Sequence, residues 1–228
     1  MAQRVLSDTI NTGFVKNISL FSGLSEEEKD LLLRNGSIYF YNRKDTLFRR
    51  GDPVTHFYVI CSGQVKLFHQ TAEGCDVTTD IRIAGDTICT TGIFALHPHH
   101  HTHAEVIKDS TIMEFPMQWL KDAARAHNAV SMNLLSALSR HGHRQTMEME
   151  NQTCMTPVQL LAGFLQQTCR AQGLNPHGFT LPFSKTLIAS RLSMSPETFS
   201  RALPKLKEMG INVTGTHVSL YGSQEMKH

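Results

Sequence analysis

The chain has no Cys-x-x-Cys among its five cysteines, which stand singly at 61, 75, 89, 154 and 169. Neither a disulfide framework nor a zinc knuckle follows from that scatter. No apolar run approaches the ~18 residues that a membrane span needs. The first residues, Met1-Ala-Gln-Arg-Val-Leu-Ser-Asp8, lack the hydrophobic core of a signal peptide, so a cytoplasmic location away from membranes is expected. Net charge is small, +2 over 228 residues. That balance conceals an asymmetry: from Cys154 onward seven Lys and Arg face three Asp and Glu, +4, which leaves −2 for the part before. A basic C-terminal module on an acidic body suits one end that approaches phosphates. There is also no arginine between Arg82 and Arg125.

What is present is organised around Ser184–Leu206, which reads as two short helices joined by a tight turn. Ser184 is a good N-cap for the first, with Leu187, Ile188 and Leu192 on its buried side. The second opens with Ser195 as N-cap, Pro196 at the first helical position and Glu197 in the first turn. Phe199, Ala202, Leu203, Leu206 and Met209 fall on one side of it. Glu197, Ser200, Arg201, Pro204 and Glu208 fall on the other, at ~100° per residue. This is the layout of a helix-turn-helix whose second helix enters a DNA major groove N-terminus first. An arginine fork such as that of Arg201 can bond guanine O6 and N7 together, and a carboxylate such as that of Glu197 can accept from a cytosine N4 amine. The plainer alternative is an i,i+4 Glu–Arg pair supporting a surface helix. Downstream, residues 211–221 alternate around Gly215 like a short hairpin, which makes the unit a winged helix.

Ser-x-Glu-Thr-x-x-Arg in the second helix is similar to the family of the cyclic-AMP receptor protein and the fumarate–nitrate regulators, and Glu197-Thr-Phe-Ser200-Arg201 looks most like the fumarate–nitrate side. The resemblance implies an effector-controlled transcription regulator rather than an enzyme, working as a homodimer on palindromic DNA and with RNA polymerase as a further partner. It implies half-sites of TTGA paired with TCAA, with Glu197, Ser200 and Arg201 as the base-reading residues. Ser184, Lys185, Ser195, Thr198, Lys205, Thr214 and Thr216 are the expected backbone contacts. Pro204 departs from the pattern, since an interior proline removes a backbone bond at a cost of ~3 kcal/mol, and a kink is expected there.

From Ser37 to Phe115 the chain changes to short β-rich runs: Ile38–Tyr41, His56–Cys61, Gln64–His69, Val77–Ile83 and Thr111–Phe115. Glycines at 51, 63, 74 and 85 punctuate them at steps of 11 or 12 residues, which indicates an antiparallel sandwich or roll. Gly51-Asp-Pro, Ser62-Gly-Gln-Val-Lys-Leu, Glu73-Gly and Gly85-Asp-Thr-Ile resemble the turns of the family's cyclic-nucleotide-type β-roll. Nucleotide-binding members carry Gly-Asp-x-x-Gly-Glu-Leu, with a glutamate for the ribose and an arginine about ten residues on for the phosphate. Here Gly85-Asp-Thr-Ile-Cys-Thr-Thr91 puts Thr90 in the glutamate's place, and the arginine's place falls near Thr102. Thr90, Thr91 and Thr102 are the effector-pocket candidates, and cyclic AMP is disfavoured because its phosphate would lack a cation. The family's iron–sulfur members carry a cysteine cluster near the N-terminus that this chain lacks, so that cofactor is not expected either.

In place of the nucleotide signature stands His97-Pro-His-His-His-Thr-His103, five histidines in seven residues. Alternate residues of a strand point the same way, which groups His97, His99, His101 and His103 as candidate metal ligands. An exposed histidine loop is the preferred reading, because neither Asp nor Cys within the run completes a shell. Gly92…His97-Pro-His99…Glu105 also approximates the histidine pair of cupins, metal oxygenases on a β-roll; its spacing is off and no second histidine motif follows. From Pro116 to about Gln152 the chain reads as helical with a break near His127-Asn128. Leu138, Gly142, Gln145, Met149 and Gln152 form a thin seam of period 3.5, expected to pair with a second copy or to pack on the chain's own roll. Thr156-Pro157 starts another helix, so the hinge lies near Gln152–Met155. Residues 11–35 suggest a lead-in helix, with Ser25 as a cap before three glutamates.

The expected architecture is therefore α+β: residues 1–126 an N-terminal helix and antiparallel β-roll sensor domain, 127–153 a long dimerisation helix, and 154–228 a winged helix-turn-helix. Residues 179–201 resemble the nitric-oxide-responsive denitrification regulators within the family, which would imply haem as the sensing group, although no short haem motif is matched.

Overall fold

The computed structural model describes residues 3–5, 18–72, 74–89, 98–171 and 178–220. The chain divides into two compact units, one of Met1–Glu73 with Thr79–His143, the other of Arg144–His228 with Gly74–Thr78. The combination of an antiparallel β-roll, a long helix and a winged helix-turn-helix is the expected α+β fold.

In the first unit, β1 (Gln3–Val5), β2 (Ser37–Tyr41), β4 (His56–Gln70), β5 (Asp76–Ile83) and β7 (His103–Pro116) lie in the sheet order β1-β2-β7-β4-β5. The short strands β3 (Thr46–Phe48) and β6 (Thr87–Ile88) pair with β7 and β4. The runs His56–Cys61 and Gln64–His69, expected as two strands, are one long strand. It pairs antiparallel with β7 from His56↔Pro116 to Phe68↔His103, with register shifts between Ile60 and Val65. The lead-in helix is shorter than expected. It runs as α1 (Glu26–Leu33) after a 3-10 turn at Ser19–Phe21, and residues 11–17 lie outside the described set. Ser25 and Glu28 form a reciprocal cap: Glu28 N–H donates to Ser25 Oγ at 3.2 Å, and Ser25 N–H to Glu28 Oε2 at 2.8 Å.

The chain leaves β7 into α2 (Met117–Ala126), breaks at His127 as expected, and continues as α3 (Asn128–Cys154). Ile18, Leu20, Phe21, Leu24, Phe57, Val59, Met113, Phe115, Leu120, Val130 and Leu134 form one core between strands and helices. The rings of Phe57, Phe115 and Trp119 stack within it at 4.8–5.6 Å. Asn133 ties the root of α3 to the N-terminal segment, its Nδ2 donating to the carbonyls of Leu20 (3.1 Å) and Ser22 (2.8 Å). A second core holds Tyr41, Phe48, Tyr58, Ile60, Val65, Ile88, Ala104, Val106 and Ile112.

The second unit contains α4 (Pro157–Ala171), β8 (Gly178–Thr180), α5 (Lys185–Arg191), α6 (Pro196–Glu208), β9 (Ile211–Thr214) and β10 (His217–Leu220). Thr156 and Gln159 cap α4 reciprocally, as the Thr-Pro start suggested. The expected hairpin is present, with Gly215 at φ 61° in its turn, and β8 joins it as a third strand in the order β8-β10-β9. Met209, expected on the buried side of α6, is 58% exposed because it forms the C-cap, where the helical spacing ends. Pro204 lies inside α6 without ending it.

Gly63 sits at the register shift with φ 92°, in the left-handed region that costs an L-residue ~1–2 kcal/mol. A Cβ there would fall on Ser110 Oγ and 2.5 Å from the Asp109 carbonyl oxygen. Gly63→Ala should therefore lower stability by roughly 2–4 kcal/mol in urea unfolding, strain and overpacking together. A loss below ~1 kcal/mol would mean that the strand crossing relaxes freely.

Candidate functional site

The helix-turn-helix is built as its residue order demands. Ser184 Oγ accepts from Leu187 N–H at 3.3 Å and caps α5, while Ser195 Oγ accepts from Thr198 N–H at 3.2 Å and caps α6. Between them Ser193 takes φ 53°, the one left-handed step that reverses the chain. Ile188, Ala189, Phe199, Ala202 and Leu206 are buried under the two helices. Glu197, Ser200, Arg201 and Lys205 are all exposed on the other side of α6.

Among the described residues no direct ion pair joins Glu197 to Arg201, although the charge of Arg201 reaches the Glu197 carboxyl one turn away. The Glu197 carboxyl is held below its usual range, first by hydrogen bonding to Ser195, then by its own helix-start N–H, and to a smaller extent by Arg201. It is thus an acceptor at the N-terminus of an outward-facing helix. Lys185 is half-buried beside the Ser184 cap; Thr214 and Thr216 are exposed on either side of Gly215. The hydroxyls of Ser195 and Thr198 lie 3.1 Å apart and engage each other at the cap.

In the sensor unit the candidate residues do not assemble as the strand alternation suggested. Thr90, Thr91 and His97 lie outside the described residues, and Thr102 is half-buried. His99 forms an isolated bridge to Pro53, and regular strand begins at His103. Alternation therefore does not group the histidines: His99 and His101 are exposed, and His103 is half-buried against Phe68, with ring centroids 5.1 Å apart. Among the described residues, no three His, Cys, Asp or Glu side chains form a metal-holding group.

The histidine that enters the roll is His100, which no pattern singled out. It is 6% exposed, stacks on Phe48 at 3.6 Å, and has its Nδ1 3.4 Å from Cys89 Sγ. Burial pushes its pKa down to about 4 against the pull of Asp52, and burial pushes the Cys89 thiol up to about 12, so both are neutral at pH 7. Close by in the same core are Tyr58 and Tyr41. Both phenols are raised, chiefly by burial, and Tyr41 OH donates to Glu114, whose own carboxyl burial holds above its usual range. Only the Gly-Asp-Thr-Ile turn before Cys89 could have pointed to this cluster from sequence.

On α3, Leu138 is 44% exposed, and Gly142 and Gln145 are exposed; the side chains of Met149 and Gln152 lie outside the described set. Leu135, one turn earlier at the same helical spacing, is 53% exposed and extends the seam.

A β-roll followed by a long helix and a capped helix-turn-helix with a wing is the architecture of a DNA-binding transcription regulator. The cyclic nucleotide-binding domain family matches residues 39–127, and the Crp-like helix-turn-helix domain family matches 159–220. With these two domains in this order, the chain belongs to the family of the cyclic-AMP receptor protein and the fumarate–nitrate regulators. It is 25% identical over 182 residues to the anaerobic regulatory protein of Pasteurella multocida, covering 78% of this chain and 66% of that one. It is 25% identical over 188 residues to the fumarate and nitrate reduction regulatory protein of Salmonella typhimurium, covering 79% and 73%. The fold is shared with CooA of Carboxydothermus hydrogenoformans, in a double-mutant structure (TM-score 0.75, 22% identity, 96% and 95% covered). It is also shared with DNR of Pseudomonas aeruginosa (0.51, 23%, 93% and 94%). Among the described residues no helix is long and apolar enough to cross a membrane.

His100 gives a pH dependence with a definite sign. Its folded pKa of about 4 lies below the ordinary 6.5, so the unfolded chain takes up its proton first. Stability should fall as pH drops from about 6.5 to about 4, on the order of 3 kcal/mol, and level off below that on this account. Denaturation of wild type and His100→Asn across pH 4–7 checks it: the slope should be shallower in the variant, and equal slopes would mean that His100 is not the group.

Proposed function

We propose that this protein is a homodimeric, effector-controlled transcription regulator that reads palindromic TTGA…TCAA sites through α6. The observation that carries this reading is the exposed row Glu197, Ser200 and Arg201 on a doubly capped helix whose opposite side is buried. Arg201 reads the G and Glu197 the C paired with it or its neighbour, with Ser200 between them. Ser184, Lys185, Ser195, Thr198, Lys205, Thr214 and Thr216 line the path of the DNA backbone, with Ser195 and Thr198 contributing through the helix start that they cap. Residues 1–126 sense, 127–153 dimerise and 154–228 bind DNA; RNA polymerase is the partner on which the bound dimer acts.

The exposed Leu135, Leu138, Gly142 and Gln145 support dimerisation through α3, continuing through Met149 and Gln152. Two-fold pairing sets the two reading helices one DNA turn apart, about 34 Å. For the effector, the likeness of residues 179–201 to nitric-oxide-responsive regulators supports haem as the sensing group.

Arg201→Ala should cost roughly 1–3 kcal/mol on a TTGA duplex and flatten discrimination at the G·C pair. Lys185→Ala should weaken all duplexes alike and make the salt dependence shallower. Titrations against cognate and G·C-swapped duplexes separate the two. Equal losses on both duplexes for Arg201→Ala would make it a backbone contact.

For assembly, Leu138→Glu places two carboxylates in the seam and should shift a micromolar dimer towards monomer in sedimentation. A variant that still sediments as a dimer would put the interface elsewhere.

A further inference from the structure

The DNA-binding unit has a cavity of its own, behind the reading helix. It lies between α4 and the three-stranded sheet and measures about 170 Å³. Leu165 and Cys169 of α4, Phe179 of β8, Ile211 of β9 and Val218 of β10 are buried and form its wall. An apolar cavity of this kind stays dry, and one of about 150 Å³ takes up benzene. Gln166 and Arg170, one turn apart on α4, line the same cavity yet are exposed, which puts its mouth at their polar ends. An arginine so placed runs its methylene stem along apolar surface and keeps its guanidinium in water. The four wall elements, α4, β8, β9 and β10, contain no Asp or Glu, and Arg170 is their one Lys or Arg. An apolar body is thus favoured inside and a negative group at the mouth.

We propose that this cavity is a binding site for a small aromatic carboxylic acid, its ring among Leu165, Phe179, Ile211 and Val218 and its carboxylate at Arg170. Phe179 offers the ring an aromatic partner, and the buried wall offers it apolar contact. The carboxylate stays in the mouth, partly in water, so its charge is not buried. The site gives the DNA-binding unit a small-molecule input separate from the roll, and it does not depend on which effector the roll takes.

The test uses full-length protein with isotope-labelled Ile, Leu and Val methyl groups, titrated with benzoate and with benzyl alcohol, its neutral counterpart in shape. Ionic strength is held constant by exchanging benzoate for chloride. Both probes should shift the methyl resonances of Leu165, Ile211 and Val218 saturably, and few others. Benzoate should bind about two- to fivefold more tightly, which is what one exposed ion pair supplies. Arg170→Gln, a change at an exposed position, should abolish that preference and leave benzyl alcohol binding as it was. Ile211→Phe places a ring of the protein's own in the cavity and should abolish binding of both probes. If that variant fails to fold, the methyl map and Arg170→Gln still decide the matter. Saturable shifts confined to other methyl groups, or none with either probe, would show that the cavity takes no ring. Equal affinities for the two probes in wild type, or a benzoate preference that survives Arg170→Gln, would overturn the assignment of an acid held by Arg170.

Discussion

The pairing of β4 with β7 is the constraint on which the sensor unit depends. Both strands take part in two cores at once, so the faces of their pleats must be assigned correctly along their whole length. On β7 the assignment is regular: Ala104, Val106 and Ile112 face one core, and Met113 and Phe115 the other. On β4 it is not. Tyr58 and Ile60 share a core with Val65, which requires the alternation to lose step by one residue between them. A one-residue slip moves every later side chain to the opposite face, and the irregular register around Gly63 supplies it. Ser110 Oγ accepts there from Gln64 N–H at 3.0 Å and takes up a donor that the irregular ladder would otherwise strand.

That slip separates two kinds of interior. On one side aromatic rings and aliphatic chains join the sheet to α2 and the root of α3, and the contacts are almost wholly apolar. The other side encloses phenols, a carboxyl, a thiol and an imidazole along with its aliphatic residues. Burial shifts each of these groups towards its neutral form, and that lets so many of them share one core without counter-ions. The second interior thus keeps hydrogen-bonding groups in a neutral, buried setting, whereas the first is held by apolar packing.

Legibility in the sequence followed the range of the interactions. Ser184, Ser195 and Pro196 act on backbone groups three residues away or fewer, so the helix-turn-helix and its outward row could be read from a short window. The glycines at 51, 74 and 85 likewise mark local turns and reveal the roll, whereas Gly63 marks the register shift inside β4. The interior of the roll was illegible because Phe48, Tyr58, Cys89, His100 and Glu114 come from separate stretches of the chain. The grouping of alternate histidines failed for a related reason: alternation presumes a strand, and the backbone is not one until His103, in keeping with the loop that was the preferred reading. Met209 escaped because a helical period says nothing about where a cap stops it.

The long ladder also sets a schedule for folding. Partners on β4 and β7 lie 35 residues apart at Phe68↔His103 and 60 apart at His56↔Pro116. The wing strands, in contrast, pair across a single tight turn. Chain-closure entropy delays the first and hardly touches the second, so the roll is the slower unit to form. At ~5–20 residues per second a ribosome leaves β4 waiting roughly 2–12 seconds for its partner. During that interval Phe57, Val59 and Ile60 are exposed on a strand with open edges, and the nascent sensor unit is at its most prone to aggregate.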